Sequence, residues 1–238
     1  MSIQTIQIIR NSIVAIGLGQ MRSTQGVRAL IHLGTGFCFR RNNIFLTCRH
    51  VMGNAPSNGT GLHVMISTNN TGISYIYNII GWQPVGSLDL AVFKVNDQFA
   101  FTPLSLQAEQ DIPDGTEIIL YGYPESILEW TSINPDPGTN VIPPLSNPAL
   151  FSRGSVGIVS AQYNFESHDL FEHDIETFPG LSGAPLIKTS DQRVIGINRG
   201  HRSIGRKEEY QGPKLAIRLF PYLSQINTAV ETLERQIT

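Results

Sequence analysis

The sequence predicts an all-β protein made of two groups of antiparallel strands followed by a terminal helix. Three observations predict it. Short runs of Val, Ile, Phe and Tyr recur between clusters of Gly, Pro, Asn and Asp, which is the pattern of a β-sandwich or barrel. Mid-chain, this pattern stops for a stretch holding Pro103, Pro113 and the turn Asp114-Gly115, which marks a connection between two halves. Finally, Leu223, Ile226, Val230, Leu233 and Ile237 recur at helical spacing near the end of the chain.

The first group of strands is read over Ser12–Leu18, Ala29–Leu33, Gly36–Phe39, Ile44–Thr47, Leu62–Ser67, Tyr75–Trp82 and Leu90–Val95. Arg40-Arg41-Asn42-Asn43 is a polar tetrad suited to closing a hairpin between two of them. The second group covers Glu117–Tyr121, Gly154–Gln162, Leu170–Asp174, Ala184–Lys188, Val194–Asn198 and Lys214–Arg218. The apolar start of the chain, interrupted by Arg10 and Asn11, is read as part of a first strand, because no signal-peptide pattern fits it. From Pro124 to Pro148 repeated prolines predict a long irregular loop. The boundaries are therefore 1–96 for the first half, 97–115 for the linker, 116–220 for the second half and 221–238 for the helix, all within a single domain.

Composition narrows the function. At 238 residues, with 41% hydrophobic and 15% charged residues, the chain can bury one substantial core. A net charge of −2 supplies no field to hold phosphate, so nucleic acid is not expected as a partner. No stretch approaches the roughly 18 apolar residues of a membrane span. Cys38 and Cys48 are the only cysteines and are expected to be reduced, in a cytoplasmic protein. The histidines have no metal-ligand spacing with them, so neither metal nor cofactor is expected.

Three segments carry chemistry. Leu46-Thr47-Cys48-Arg49-His50-Val51 is an apolar strand running into a histidine; Ser87-Leu88-Asp89-Leu90-Ala91-Val92 places an acid just before a strand. In Phe178-Pro179-Gly180-Leu181-Ser182-Gly183-Ala184-Pro185-Leu186, a serine sits between two glycines and enters an apolar strand. Each has an ordinary structural explanation by itself: a strand-capping histidine, a turn aspartate and a Pro-Gly turn. Together they supply the parts of acyl transfer: a nucleophile, a base and the carboxylate that orients it. Gly180 can also turn two backbone N–H groups, its own and that of Ser182, into one concavity for an oxyanion. Cys48, two residues from His50, is set aside as a nucleophile in favour of Ser182.

In motif order and wording the chain resembles the trypsin-like serine peptidases, and among them the bacterial HtrA type without a PDZ module. The resemblance implies two six-stranded antiparallel β-barrels of the chymotrypsin kind with a cleft between them. It implies His50 as base, Asp89 as its orienting acid, Ser182 as nucleophile, Gly180 and Ser182 as oxyanion donors, and a protein or peptide as substrate. Ile197, Asn198 and Arg199 would form an edge strand that pairs with extended substrate. The primary specificity pocket would be walled by Asp174, Ile175, Glu176 and Thr177 together with Asn198 and Arg199. Either Glu176 or Arg199 could select a charged side chain, or both could be solvated. Leu181 stands where zymogen-activated members carry an aspartate, so their amino-terminal activation is not expected. An active serine endopeptidase is the leading reading. A latent enzyme needing an activating partner, or a silent module that binds peptide, is the alternative.

Overall fold

The computed structural model describes residues 3–22, 26–41, 43–53, 61–68, 74–95, 101–108, 111–124, 141–142, 150–156, 169–203 and 211–237. Most of the long proline-rich loop, parts of the linker and the stretch 157–162 read as strand lie outside these residues.

The chain opens on a helix, α1 (Ile3–Ser12), and not on a strand. Ile9 is fully buried while Ile8 is 46% exposed, so the isoleucines bury one helical stripe instead of alternating as a strand would. Strands β1 (Ile13–Arg22), β2 (Gly26–Arg40) and β3 (Ile44–Thr47) follow, then a short helix α2 (Arg49–Gly53), β4 (Gly61–Thr68), β5 (Ser74–Pro84) and β6 (Ala91–Val95). Two of the expected strands, Ala29–Leu33 and Gly36–Phe39, are one continuous β2. Pairing runs β4-β1-β2-β3-β6-β5, and β5 pairs back to β4, so the six strands form a closed ring. Closure leaves this ring no unpaired edge.

The second half contains β7 (Glu117–Gly122), β8 (Val141–Ile142), β9 (Leu150–Ser155), β10 (Leu170–His173), β11 (Pro185–Lys188), β12 (Val194–Ser203) and β13 (Gln211–Arg218). The short β8 adds to β5 of the first ring. The other six pair in the order β10-β13-β12-β11-β7-β9, and an antiparallel bridge between Val156 and His173 joins the two outer strands. Helix α3 (Leu223–Ile237), preceded by a 3-10 turn over Phe220–Tyr222, ends the fold.

The alternation of β-strand side chains explains how the halves join. On β7, Ile118 and Leu120 enter the second core, while Ile119 and Tyr121 belong to the core shared with the first barrel. On β11, Leu186 and Ile187 divide in the same way. The connecting segment bonds to both halves: Leu104 N–H donates to Cys38 O at 2.9 Å, and Gln107 N–H to Val194 O at 2.9 Å. Ile226, Ala229, Val230 and Leu233 bury the inner face of α3, and Gly81 of β5 has no side chain to keep Leu233 and Ile237 away.

In the first barrel Phe45 stacks on Phe93, with ring centroids 5.0 Å apart, and meets the edge of Phe101 at 5.1 Å. All three belong to or pack on the same core, and neighbours locked in a closed ring cannot collapse into a void. Phe45→Ala is expected to destabilise the fold by about 3–5 kcal/mol, measured by denaturant unfolding.

Candidate active site

Ser182 sits in a tight turn between the second half's strands, held by Leu181 N–H to Phe178 O and Ala184 N–H to Leu181 O, both 3.1 Å. Gly180 and Gly183 both have φ of +90°, a backbone state that strains any other residue. At Gly183 an added Cβ would run into Thr35 O and Thr47 Oγ1, so the barrels approach too closely here for a side chain. Leu181 is fully buried in the second core, where it anchors the turn by apolar packing in place of an ion pair.

Asn198 of β12 braces the same turn on its other side. Its carbonyl accepts from Gly183 N–H at 2.9 Å, its N–H donates to Ala184 O at 2.8 Å, and its Nδ2 donates to Leu181 O at 2.9 Å. Thr35 of β2 reaches across from the first barrel. Its N–H donates to Ser182 O at 2.8 Å and its hydroxyl to Gly180 O at 2.9 Å, while the hydroxyl oxygen accepts Tyr123 N–H at 3.0 Å. Thr47 Oγ1 in turn donates to Thr35 O at 2.7 Å. The N–H groups of Gly180 and Ser182 donate to nothing among the described residues.

His50 lies in the first turn of α2, directly after β3. Its backbone N–H donates to Asp89 Oδ1 at 2.9 Å, and its Nδ1 meets Asp89 Oδ2 at 2.8 Å and Oδ1 at 3.1 Å. A carboxylate accepts, so Nδ1 carries the proton and Nε2 is left as the acceptor. Burial alone would raise the Asp89 pKa. The hydrogen bonds and charge of His50, together with the Arg199 side chain, outweigh burial and hold it below the ordinary carboxylate value. Ser182 Oγ donates to Arg199 O at 3.4 Å and makes no hydrogen bond to His50. That contact exceeds the usual O–H···O range of about 2.5–3.0 Å, and such bonds often tighten only when substrate binds.

Arg199, expected at the pocket wall, turns its guanidinium to the acid instead: Nε donates to Asp89 Oδ2 at 3.2 Å. Glu176 is exposed, whereas Thr177 is 5% exposed and Asn198 fully buried. The side chain of Ile197 is buried in the core, and its backbone lies between β11 and β13. Asn198 is likewise bonded on both sides, so among the described residues pairing to β13 alone begins after Asn198, later than the sequence reading placed the edge.

Sequence reasoning missed Thr35 and Thr47, whose only signal was a buried threonine beside a glycine pair and another ahead of the histidine. Cys48, set aside as the nucleophile, borders the site. Cys48 Sγ, a His50 ring nitrogen and an Asp89 oxygen lie within 4.8 Å of one another. The thiol is fully buried and makes a contact to Asn198 O at 3.5 Å. Burial, then the Asp89 charge, push its pKa well above the ordinary thiol value, so it stays protonated and is a poor nucleophile or metal ligand.

The family model "Trypsin-like peptidase domain" matches residues 34–197, and the chain belongs to that family. Solved structures share the fold, three of them as follows. The chain is similar to Deg5 at 18% identity and a TM-score of 0.63, covering 96% of this chain and 90% of that one. It is similar to the MamO protease domain from Magnetospirillum magneticum in its apo form at 14% identity and a TM-score of 0.65, covering 92% and 97%. To the HtrA-type protease AlgW with decapeptide the values are 16% and 0.66, covering 95% of this chain and 67% of that one. No curated protein sequence matches.

The depressed Asp89 pKa is a statement about stability. A carboxyl whose folded-state pKa lies below its unfolded value of about 3.9 adds stability above that value and loses it as pH falls through the folded one. Unfolding free energy is therefore expected to drop on acidification below about pH 4. In chemical denaturation across pH 2–7, Asp89→Asn should show a shallower drop than the parent.

Proposed function

We propose that the chain is a serine endopeptidase that hydrolyses peptide bonds through an acyl-enzyme formed on Ser182. The observation that carries this reading is the pairing of an Asp89-bound His50, its Nε2 open as a base, with a serine turn whose two backbone amides have no internal partner. His50 Nε2 would take the Ser182 proton as Oγ attacks the scissile carbonyl. Gly180 and Ser182 N–H would receive the oxygen as it gains charge. The imidazolium, stabilised by Asp89, would then pass its proton to the leaving amine, and water would release the acyl group by the same steps in reverse. Nothing in this sequence calls for a metal or organic cofactor. Among the described residues β12 beyond Asn198 pairs with β13 alone, and such an edge suits extended substrate, which adds to it by main-chain hydrogen bonds.

A second reading has its own support. Ser182 faces the Arg199 carbonyl and not His50, which suits a latent enzyme that a partner protein activates, or a module that binds peptide without cutting it. Two buried free thiols, Cys38 and Cys48, suit a reducing compartment, in keeping with a cytoplasmic protein. Among the described residues no helix is long and apolar enough to cross a membrane.

A fluorophosphonate probe separates the readings. The peptidase reading expects one covalent adduct, mapped by mass spectrometry to Ser182 and absent from Ser182→Ala. Asp89→Asn is expected to lower turnover by on the order of 10,000-fold, because the base then holds the wrong tautomer. Well-folded protein that never labels would favour the latent or silent alternative.

A further inference from the structure

The segments expected to wall the primary specificity pocket bury no charged side chain. Glu176 is exposed, and the Arg199 guanidinium is engaged by Asp89. What those segments bury is polar and neutral: Thr177 at 5% exposure and Asn198 at none, joined by His173 of β10 at 4%. The Asn198 amide has a fixed orientation, because its NH₂ must face the Leu181 carbonyl that it bonds at 2.9 Å. Oδ1 is thereby turned away from that carbonyl, and the His173 ring lies against this carboxamide. Beyond this weak His173–Asn198 contact, Asn198 Oδ1, the His173 ring nitrogens and Thr177 Oγ1 have no hydrogen-bond partner among the described residues.

Buried polar atoms are nearly always paired, so several orphaned atoms beside a nucleophile call for an explanation. We propose that Thr177, His173 and Asn198 form the base of the specificity pocket and select an uncharged carboxamide, glutamine or asparagine, at the residue preceding the cleaved bond. The proposal rests on the peptidase reading of the cleft.

The chemistry of the set favours that ligand. Asn198 Oδ1 can only accept, whereas Thr177 Oγ1 and a neutral imidazole can each both donate and accept. A carboxamide also does both, so its NH₂ and its carbonyl each find a partner. A carboxylate only accepts, so it would bring a buried charge against Asn198 Oδ1, which has no proton to give. Burial lowers the His173 pKa to about 4, with Asn198 and Asp174 acting to raise it and Lys214 to lower it, so the ring is neutral at pH 7. A lysine side chain only donates and would leave the donors of Thr177 and His173 unmet, and an aliphatic one would leave Thr177 Oγ1 without a partner. Because the four atoms are enclosed, the irregular 174–179 segment has to give way as the side chain enters, which a side chain able to pair with them repays.

The test uses peptides identical except for Gln, Asn, Glu, Lys or Leu at the selected position. Their binding to Ser182→Ala is measured by titration calorimetry at pH 7, and their cleavage by wild type is measured by mass spectrometry. The carboxamide peptides are expected to bind at least about tenfold tighter than the other three. Thr177→Val in the same background should erase most of that preference. Tightest binding of Glu, Lys or Leu, no preference among the five, or a preference that survives Thr177→Val would overturn the pocket assignment. Carboxamide-selective binding without any cleavage supports the pocket and overturns the peptidase reading, and cleavage after Leu or Lys does the reverse.

Discussion

The candidate site depends on one crossing between barrels, at Thr35. A single buried residue there makes four hydrogen bonds: to Ser182 O, to Gly180 O, from Tyr123 N–H and from Thr47 Oγ1. Two of its bonds end on the carbonyls either side of Leu181, so the turn that presents the serine is oriented from the opposite barrel. A threonine hydroxyl suits the place because it donates to one carbonyl and accepts one amide at once. Gly183 lets this approach happen, since any Cβ there would occupy the space of Thr35 O and Thr47 Oγ1.

The electrostatics rest on the same frame. Asp89 is largely buried, and it keeps its charge because His50 and Arg199 surround it with donors. Arg199 contributes twice, through its guanidinium to the acid and through its carbonyl to the serine hydroxyl. Its position where β12, among the described residues, keeps only β13 as neighbour links the acid, the nucleophile and that strand edge. Cys48 fills the space behind them as a small, uncharged packing residue.

The strands were legible wherever local pattern decides. Ile44–Thr47 appears with the expected bounds, because three buried apolar residues and a buried threonine follow a polar hairpin turn. The first ten residues were misread, since spaced isoleucines suit a strand or a helix until burial shows which stripe faces inward. His50, Asp89 and Ser182 could be proposed because their neighbours form recognisable local motifs. Thr35, Thr47 and Asn198 could not be given positioning roles, because their bonds to the serine turn span long sequence separations and leave no local periodicity. Arg199 was misplaced for a related reason: side-chain direction at the end of a strand follows from the acid it meets, which is 110 residues away.

The most direct test of this account is the rate of fluorophosphonate labelling of Thr35→Val, which keeps the shape and backbone bonds of residue 35 but removes its hydroxyl. With circular dichroism showing the fold retained, the account predicts labelling slowed by on the order of 100-fold, as expected when oxyanion donors lose their alignment. An unchanged rate in the folded variant would contradict it, because the serine turn would then hold its shape without the crossing from the other barrel.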